Sequence, residues 1–205
     1  MSRVSSKERY VIEVYELFRK KGLRMTMDEI ADHLKLTKKT LYNNFNSKDE
    51  LMRTVMQHVL GEIEFKINMA LSQGRDAIEA LYHTSDMMNK SLSEIGPLLL
   101  SDSSVYLPDL KLLDHTNRMS FYSRIIAENI ERGISEGFYR TDFNKELVTL
   151  FFTSAMSRIY SWNGAYKFLK DPYVFHSELI RYHLESIVND QGREVLREII
   201  HKRGK

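Results

Sequence analysis

An all-α fold is predicted by three observations on the sequence. The 205 residues include only 3 Pro and 9 Gly, and no run alternates β-branched with polar residues, as a half-buried strand would. Apolar residues recur instead at spacings of three and four. Three Ser/Thr-x-x-Glu pairs, Ser5 with Glu8, Thr26 with Glu29 and Ser47 with Glu50, have the capping-box spacing that opens helices.

The first helix runs from Ser5 to Gly22, with Val11, Val14, Tyr15 and Phe18 as its inner stripe and Gly22 closing it. Thr26 caps a short second helix whose apolar face is Ile30, Ala31 and Leu34. The pattern breaks at Lys35-Leu36 and restarts at Thr37, a good N-cap residue. In the following KKTLYNNF, Leu41 and Phe45 point inward, leaving Lys38, Lys39, Thr40, Tyr42, Asn43 and Asn44 outward. Ammonium, hydroxyl, phenol and amide groups are those that contact phosphates and base edges. Two short helices, a tight turn and a polar second helix make a helix-turn-helix.

At these residues the chain resembles the TetR family of bacterial transcription regulators. Thr26, Ile30, Ala31, Leu36, Thr37, Leu41, Tyr42, Phe45, Ser47, Lys48 and Leu51 stand in register with the family pattern. Two glycines of that pattern are replaced, the turn glycine by Lys35 and one early in the recognition helix by Lys39, and the run from Gly22 to Ile30 is one residue short. Lys35 is therefore expected in a left-handed conformation. The resemblance implies DNA contacts by Thr26, Thr37, Lys38, Lys39, Thr40, Tyr42, Asn43, Asn44 and Lys48, with Thr37, Tyr42 and Lys48 as phosphate anchors. It covers the first quarter of the chain closely; beyond that it is architectural.

A long helix follows from Lys48 to about Ser72, with Leu51, Val55, His58, Val59, Ile63, Ile67 and Leu71 inward and Gly61 interrupting it. An interior glycine costs roughly 1 kcal/mol relative to Ala, so close packing is expected there, with a hinge as the alternative. Asp76 to about Glu94 reads as the next helix, broken at Gly96-Pro97. Ser101 to Leu107, polar and rich in turn formers, is expected to be a loop. From Pro108-Asp109 a helix extends to Glu136-Gly137, and EGFYRTDFNKEL resembles the family's turn before its eighth helix. Asn144 to about Lys167, Tyr173 to about Asn189 and Arg193 to His201 complete the chain.

The Tyr173 helix carries two apolar stripes, Phe175, Leu179 and Tyr182 on one side and Ile180, Leu184, Ile187 and Val188 on the other. A second stripe needs a second neighbour. With the family's dimers in mind, the expected interface is Phe152, Met156, Ile180, Leu184, Ile187 and Val188. Tyr82, Met87, Met88, Phe121, Tyr122, Phe152, Met156, Tyr160 and Trp162 are the candidates for a cavity holding an apolar or amphipathic small-molecule effector.

The whole chain carries a net charge of +2, but residues 1–60 hold 12 Lys/Arg against 8 Asp/Glu, placing the basic excess with the helix-turn-helix. No Cys is present, which excludes disulfides and thiolate metal sites and fits a reducing cytoplasm. The apolar runs are too short to span a bilayer. His176 and His183 lie seven apart with no carboxylate completing a metal set, and no nucleophile elbow or phosphate loop is present. No metal or cofactor is expected. The reading is a helix-turn-helix domain over 1–50 and a larger helical dimerisation and effector domain over 51–205, acting on a palindromic operator as a repressor released by ligand. Control by a protein partner and a helical enzyme of unknown reaction are the alternatives.

Overall fold

A computed structural model describes residues 5–107, 117–161 and 172–203. Its helices are α1 (Ser6–Lys21), α2 (Met27–His33), α3 (Lys38–Asn44), α4 (Lys48–Gln73) and α5 (Ala77–Ile95). They are followed by α6 (Pro97–Tyr106), α7 (Asn117–Ser135), α8 (Lys145–Ser161), α9 (Pro172–Ile187) and α10 (Asp190–Arg203). The only strand-like pairing among the described residues is the single bridge of Tyr139 with Val188. None of the described helices is long and apolar enough to cross a membrane. The expected start of a helix at Pro108-Asp109, Trp162, and the side chains of Tyr160, Phe175 and His176 lie outside the described residues.

The chain separates into two compact units, Met1–Glu64 with Leu92–Leu112, and Phe65–Ser91 with Leu113–Lys205. The unit holding the helix-turn-helix thus runs past residue 50 along α4 and takes in α6. Its core is the stripe of α1 (Val11, Val14, Leu17, Phe18) with Leu23, Ile30, Leu41, Phe45, Leu51 and Val55, all buried.

The expected loop at Ser101 to Leu107 is helical instead. Gly96, at φ 83, turns the chain into α6, and Pro97 occupies the first turn, where a missing N–H is harmless. One of the polar residues that read as a loop, Asp102, makes a tertiary contact. Asp102 is buried, and its carboxylate accepts the Leu23 N–H at 2.8 Å, a charge-assisted bond that satisfies a donor just past the end of α1.

Gly61 is not a packing glycine. A Cβ built there meets nothing within 4 Å, so the close neighbour expected from the sequence is absent. Gly61→Ala is expected to stabilise the protein by about 0.5–1 kcal/mol through helix propensity alone, read as a higher melting temperature. A lower melting temperature on that substitution would show an unseen clash.

The second unit has its own core. Ile78, Leu81, Ile130, Phe152, Met156, Ile180, Leu184, Ile187 and Val188 belong to one buried cluster. The interface expected at Phe152, Met156, Ile180, Leu184, Ile187 and Val188 is therefore corrected: each is at most 5% exposed within the single chain, covered by its own neighbours. Among the described residues of this unit, the outward large apolar side chains are Phe65 and Met69 of α4, Leu147, Leu150 and Phe151 of α8 and Tyr182 of α9. Both stripes of α9 are apolar, and periodicity cannot say which one turns inward.

A polar network ties the turn between α4 and α5 to α7. Arg132 donates to the Gly74 carbonyl at 3.0 Å and to Glu136 at 2.7 Å, while Glu136 accepts the Ala77 N–H at 2.7 Å. Asn129 donates to the Ala77 carbonyl at 2.7 Å and accepts the Tyr139 hydroxyl at 2.9 Å. Burial pushes the Tyr139 phenol well above its ordinary pKa, which keeps it a hydrogen-bond donor.

Candidate nucleic-acid interface

The helix-turn-helix is built by local capping. At α2 the box closes fully: the Glu29 N–H donates to the Thr26 hydroxyl at 3.2 Å, and the Glu29 carboxylate accepts the Thr26 N–H at 2.7 Å. The Thr26 N–H foremost, with the Thr26 hydroxyl, donates to the Glu29 carboxylate and holds its carboxyl below its usual pKa. The Thr26 hydroxyl itself donates to Glu29 at 2.9 Å, so it is committed to the cap. Thr37 caps α3, accepting the Thr40 N–H at 3.1 Å, with the two hydroxyls 2.8 Å apart. Ser47 accepts the Glu50 N–H at 3.1 Å, but the Glu50 carboxylate reaches Asn46 rather than Ser47.

Leu41 and Phe45 are fully buried, as expected, which turns the opposite face of α3 to solvent. The outward side chains differ in how free they are. Lys39, Tyr42 and Asn43 are exposed. Lys38 is ion-paired to Asp28 of α2 at 2.8 Å, and that pairing raises its pKa. Asn44 donates back to the Thr40 carbonyl at 2.8 Å. Lys48 is half-buried, its ammonium 5.8 Å from the Tyr106 ring centre, and burial lowers its pKa. The sequence could not separate these cations, because the pairing of Lys38 with Asp28 joins residues ten apart on different helices. Near the chain start, Lys7 sits 4.9 Å over the Phe45 ring and 3.6 Å from Glu50.

In the second unit, a small apolar cavity of about 30 Å³ is lined by Ile67, Leu81, Thr84, Met88, Tyr122, Ile125, Ile126, Phe152, Thr153, Met156 and Ile180. Of the aromatic and Met candidates, Met88, Tyr122, Phe152 and Met156 line it. Tyr82 is buried outside the lining, Met87 is half-buried, and Phe121 packs edge-on to Tyr122 at 5.4 Å. The remaining lining is mostly Ile and Leu, which carry no signal in a sequence because any core uses them.

Beside the cavity, His183 lies against Phe152, ring centres 4.3 Å apart. Its Nε2 has no hydrogen-bond partner, and burial lowers its pKa to about 4.

A small helix-turn-helix unit with an outward polar recognition helix, joined to a larger helical unit, defines a DNA-binding transcription regulator. The model of bacterial regulatory proteins of the tetR family matches residues 15–55. The chain is 26% identical over 147 residues to the HTH-type transcriptional repressor KstR2 of Rhodococcus jostii, covering 66% of this chain and 68% of that protein. Among solved structures, a transcriptional regulator from Cytophaga hutchinsonii shares the fold with a TM-score of 0.71 at 19% identity, over 89% of this chain and 98% of that one. The ketosteroid transcriptional regulator KstR2 of Mycobacterium tuberculosis does so with a TM-score of 0.56 at 18% identity, over 92% and 98%. Over residues 15–55 the chain matches the TetR family of bacterial transcription regulators, and along the rest of its length it is similar to the regulators above.

Proposed function

We propose that the protein binds a palindromic operator as a homodimer, in the cytoplasm, and represses transcription until a small apolar or amphipathic ligand releases it. The observation that carries this reading is α3: Leu41 and Phe45 buried beneath it, and Lys39, Tyr42 and Asn43 exposed on its other face. Thr37, Lys38, Thr40 and Asn44 complete that face, with Thr26 and Lys48 flanking it. The dimer face is Leu147, Leu150, Phe151 and Tyr182, apolar residues that a lone chain leaves in water. The effector site is the cavity beneath Phe152 and Met156, which must widen before a ligand of ordinary size enters, since such sites span roughly 300–1,000 Å³. Gly61 of α4, with no neighbour to brace it, is where we place bending when the ligand acts.

Retention of genomic DNA fragments on the protein, with sequencing of what is bound, tests the reading. One enriched palindrome supports it, and absence of any enriched sequence would remove it.

Within the site, Lys39 and Lys48 are expected to act differently. Lys48→Ala weakens binding to all sequences alike and flattens the dependence of log K on log salt by about 0.9 for each phosphate left without its cation. Lys39→Ala relaxes base choice at one operator position by about 1–3 kcal/mol. Titrations on operator and random duplexes read both effects, and identical behaviour of the two variants on both duplexes refutes the division.

A further inference from the structure

Two helices of this chain end in the same backbone motif and differ at one residue. At the end of α7, the Gly137 N–H donates to the Ile134 carbonyl at 3.1 Å and the Phe138 N–H to the Gly133 carbonyl at 2.9 Å. At the end of α2, the Lys35 N–H donates to the Asp32 carbonyl at 3.1 Å and the Leu36 N–H to the Ala31 carbonyl at 2.9 Å. Both are the paired bonds of a Schellman ending, whose pivotal residue is left-handed and ordinarily glycine. Gly137 takes that position at φ 79; Lys35 takes it at φ 54, alone among the described non-glycine residues in having a positive φ. A side chain at that position lowers stability where glycine would not. An outlier of this kind marks a position whose side chain is held for something other than the fold.

What lysine adds over glycine is a charge on a flexible stem. Lys35 is exposed, and among the described residues nothing ties that charge down, whereas Lys38 is paired to Asp28, Lys7 to Glu50, and Lys48 is half-buried. Its place in the chain fits the charge. Lys35 stands two residues before Thr37, the cap of α3, in the turn between the two helices. In a helix-turn-helix the first of these crosses the DNA backbone and the second enters the major groove.

We propose that Lys35 contacts an operator phosphate at the edge of the groove, an ammonium kept in the turn at the expense of backbone strain. The proposal rests on the reading of α3 as the recognition helix.

Lys35→Gly and Lys35→Arg test it on the full-length protein, with a random-sequence duplex and the enriched palindrome titrated from about 0.05 to 0.3 M salt. Lys35→Gly is expected to raise the melting temperature, by about 2–4 °C, while weakening both duplexes by the same factor. With one phosphate left unneutralised per subunit of a dimer, the slope of log K against log salt falls by about 1.8, equivalent to roughly 10- to 100-fold at 0.1 M salt. Lys35→Arg keeps the slope and gains no stability. A purely structural residue would move stability and affinity together or leave affinity alone. An unchanged slope in Lys35→Gly, beside a wild type that binds with a clear salt dependence, overturns the proposal while leaving the interface intact. A wild type with no salt-dependent binding to either duplex removes the recognition-helix reading itself, and Lys35's role with it.

Discussion

Phe151→Glu is expected to give monomers that keep their fold and lose the operator. Phe151 is 76% exposed and lies on one side of α8 with Leu147 and Leu150, so a carboxylate there costs the single chain almost nothing. In a dimer joined through that face, it places two charges in an apolar contact, where an unpaired ion is strongly disfavoured. A monomer then holds one half-site at a time and forgoes the roughly 10²–10⁴-fold gain of bivalent binding. Leu184→Glu is the contrasting variant. Leu184 is fully buried in the chain's own core, and an uncompensated charge there costs several kcal/mol, enough to unfold the unit. Sedimentation and helical circular dichroism on the two variants separate the cases: Phe151→Glu is a folded monomer, Leu184→Glu is unfolded. A Phe151→Glu protein that still sediments as a dimer takes α8 out of the interface.

Stability is expected to fall as pH drops from 6.5 to 4.5, by about 1.4 kcal/mol per pH unit, because of His183. Unfolded, this imidazole takes a proton near its ordinary pKa of 6.5; folded, burial holds it neutral until about pH 4. Between those values the unfolded chain binds the extra proton, so stability rises with pH and declines with acid. The carboxylates whose pKa is lowered, among them Glu29 and Glu79, lie below 4.5, so they weaken the fold only in stronger acid. His183→Leu, which fills the space against Phe152 without a titrating group, should flatten the profile over this window by about 2–3 kcal/mol relative to wild type. Parallel profiles for the two proteins, measured by urea unfolding at stepped pH, would show that water reaches His183.

The local parts of this molecule were readable from the residues, and the parts set by distant contacts were not. The capping box of Thr26 and Glu29, the cap at Thr37 and the left-handed Lys35 follow from chemistry within a few residues, and each stands where the sequence places it. The helix α6 was hidden because its evidence lies far away: the carboxylate of Asp102 accepts the N–H of Leu23, 79 residues earlier. The inward face of α9 was undecidable for another reason. Ile180, Leu184 and Ile187 differ little in character from Leu179 and Tyr182, and only the cluster formed with residues of α5, α7, α8 and α10 selects between them. Lys38 reads as a free base contact until Asp28 is seen beside it. Gly61 reads as a packing glycine because a sequence does not display empty space.

For an effector site at the small cavity proposed above, its size sets the timing of the response. At about 30 Å³, it is far smaller than the roughly 300–1,000 Å³ of an ordinary ligand site, so a ligand of ordinary size does not fit it as it stands. Entry waits for side chains such as Met88, Phe152 and Met156 to part. The rate of operator release should therefore climb with ligand concentration and then level off at the frequency of that opening, a plateau shared by chemically different ligands. Affinity is reduced by the fraction of time the core stands open, and substitutions that loosen the lining without touching a ligand should make the regulator both quicker and more sensitive.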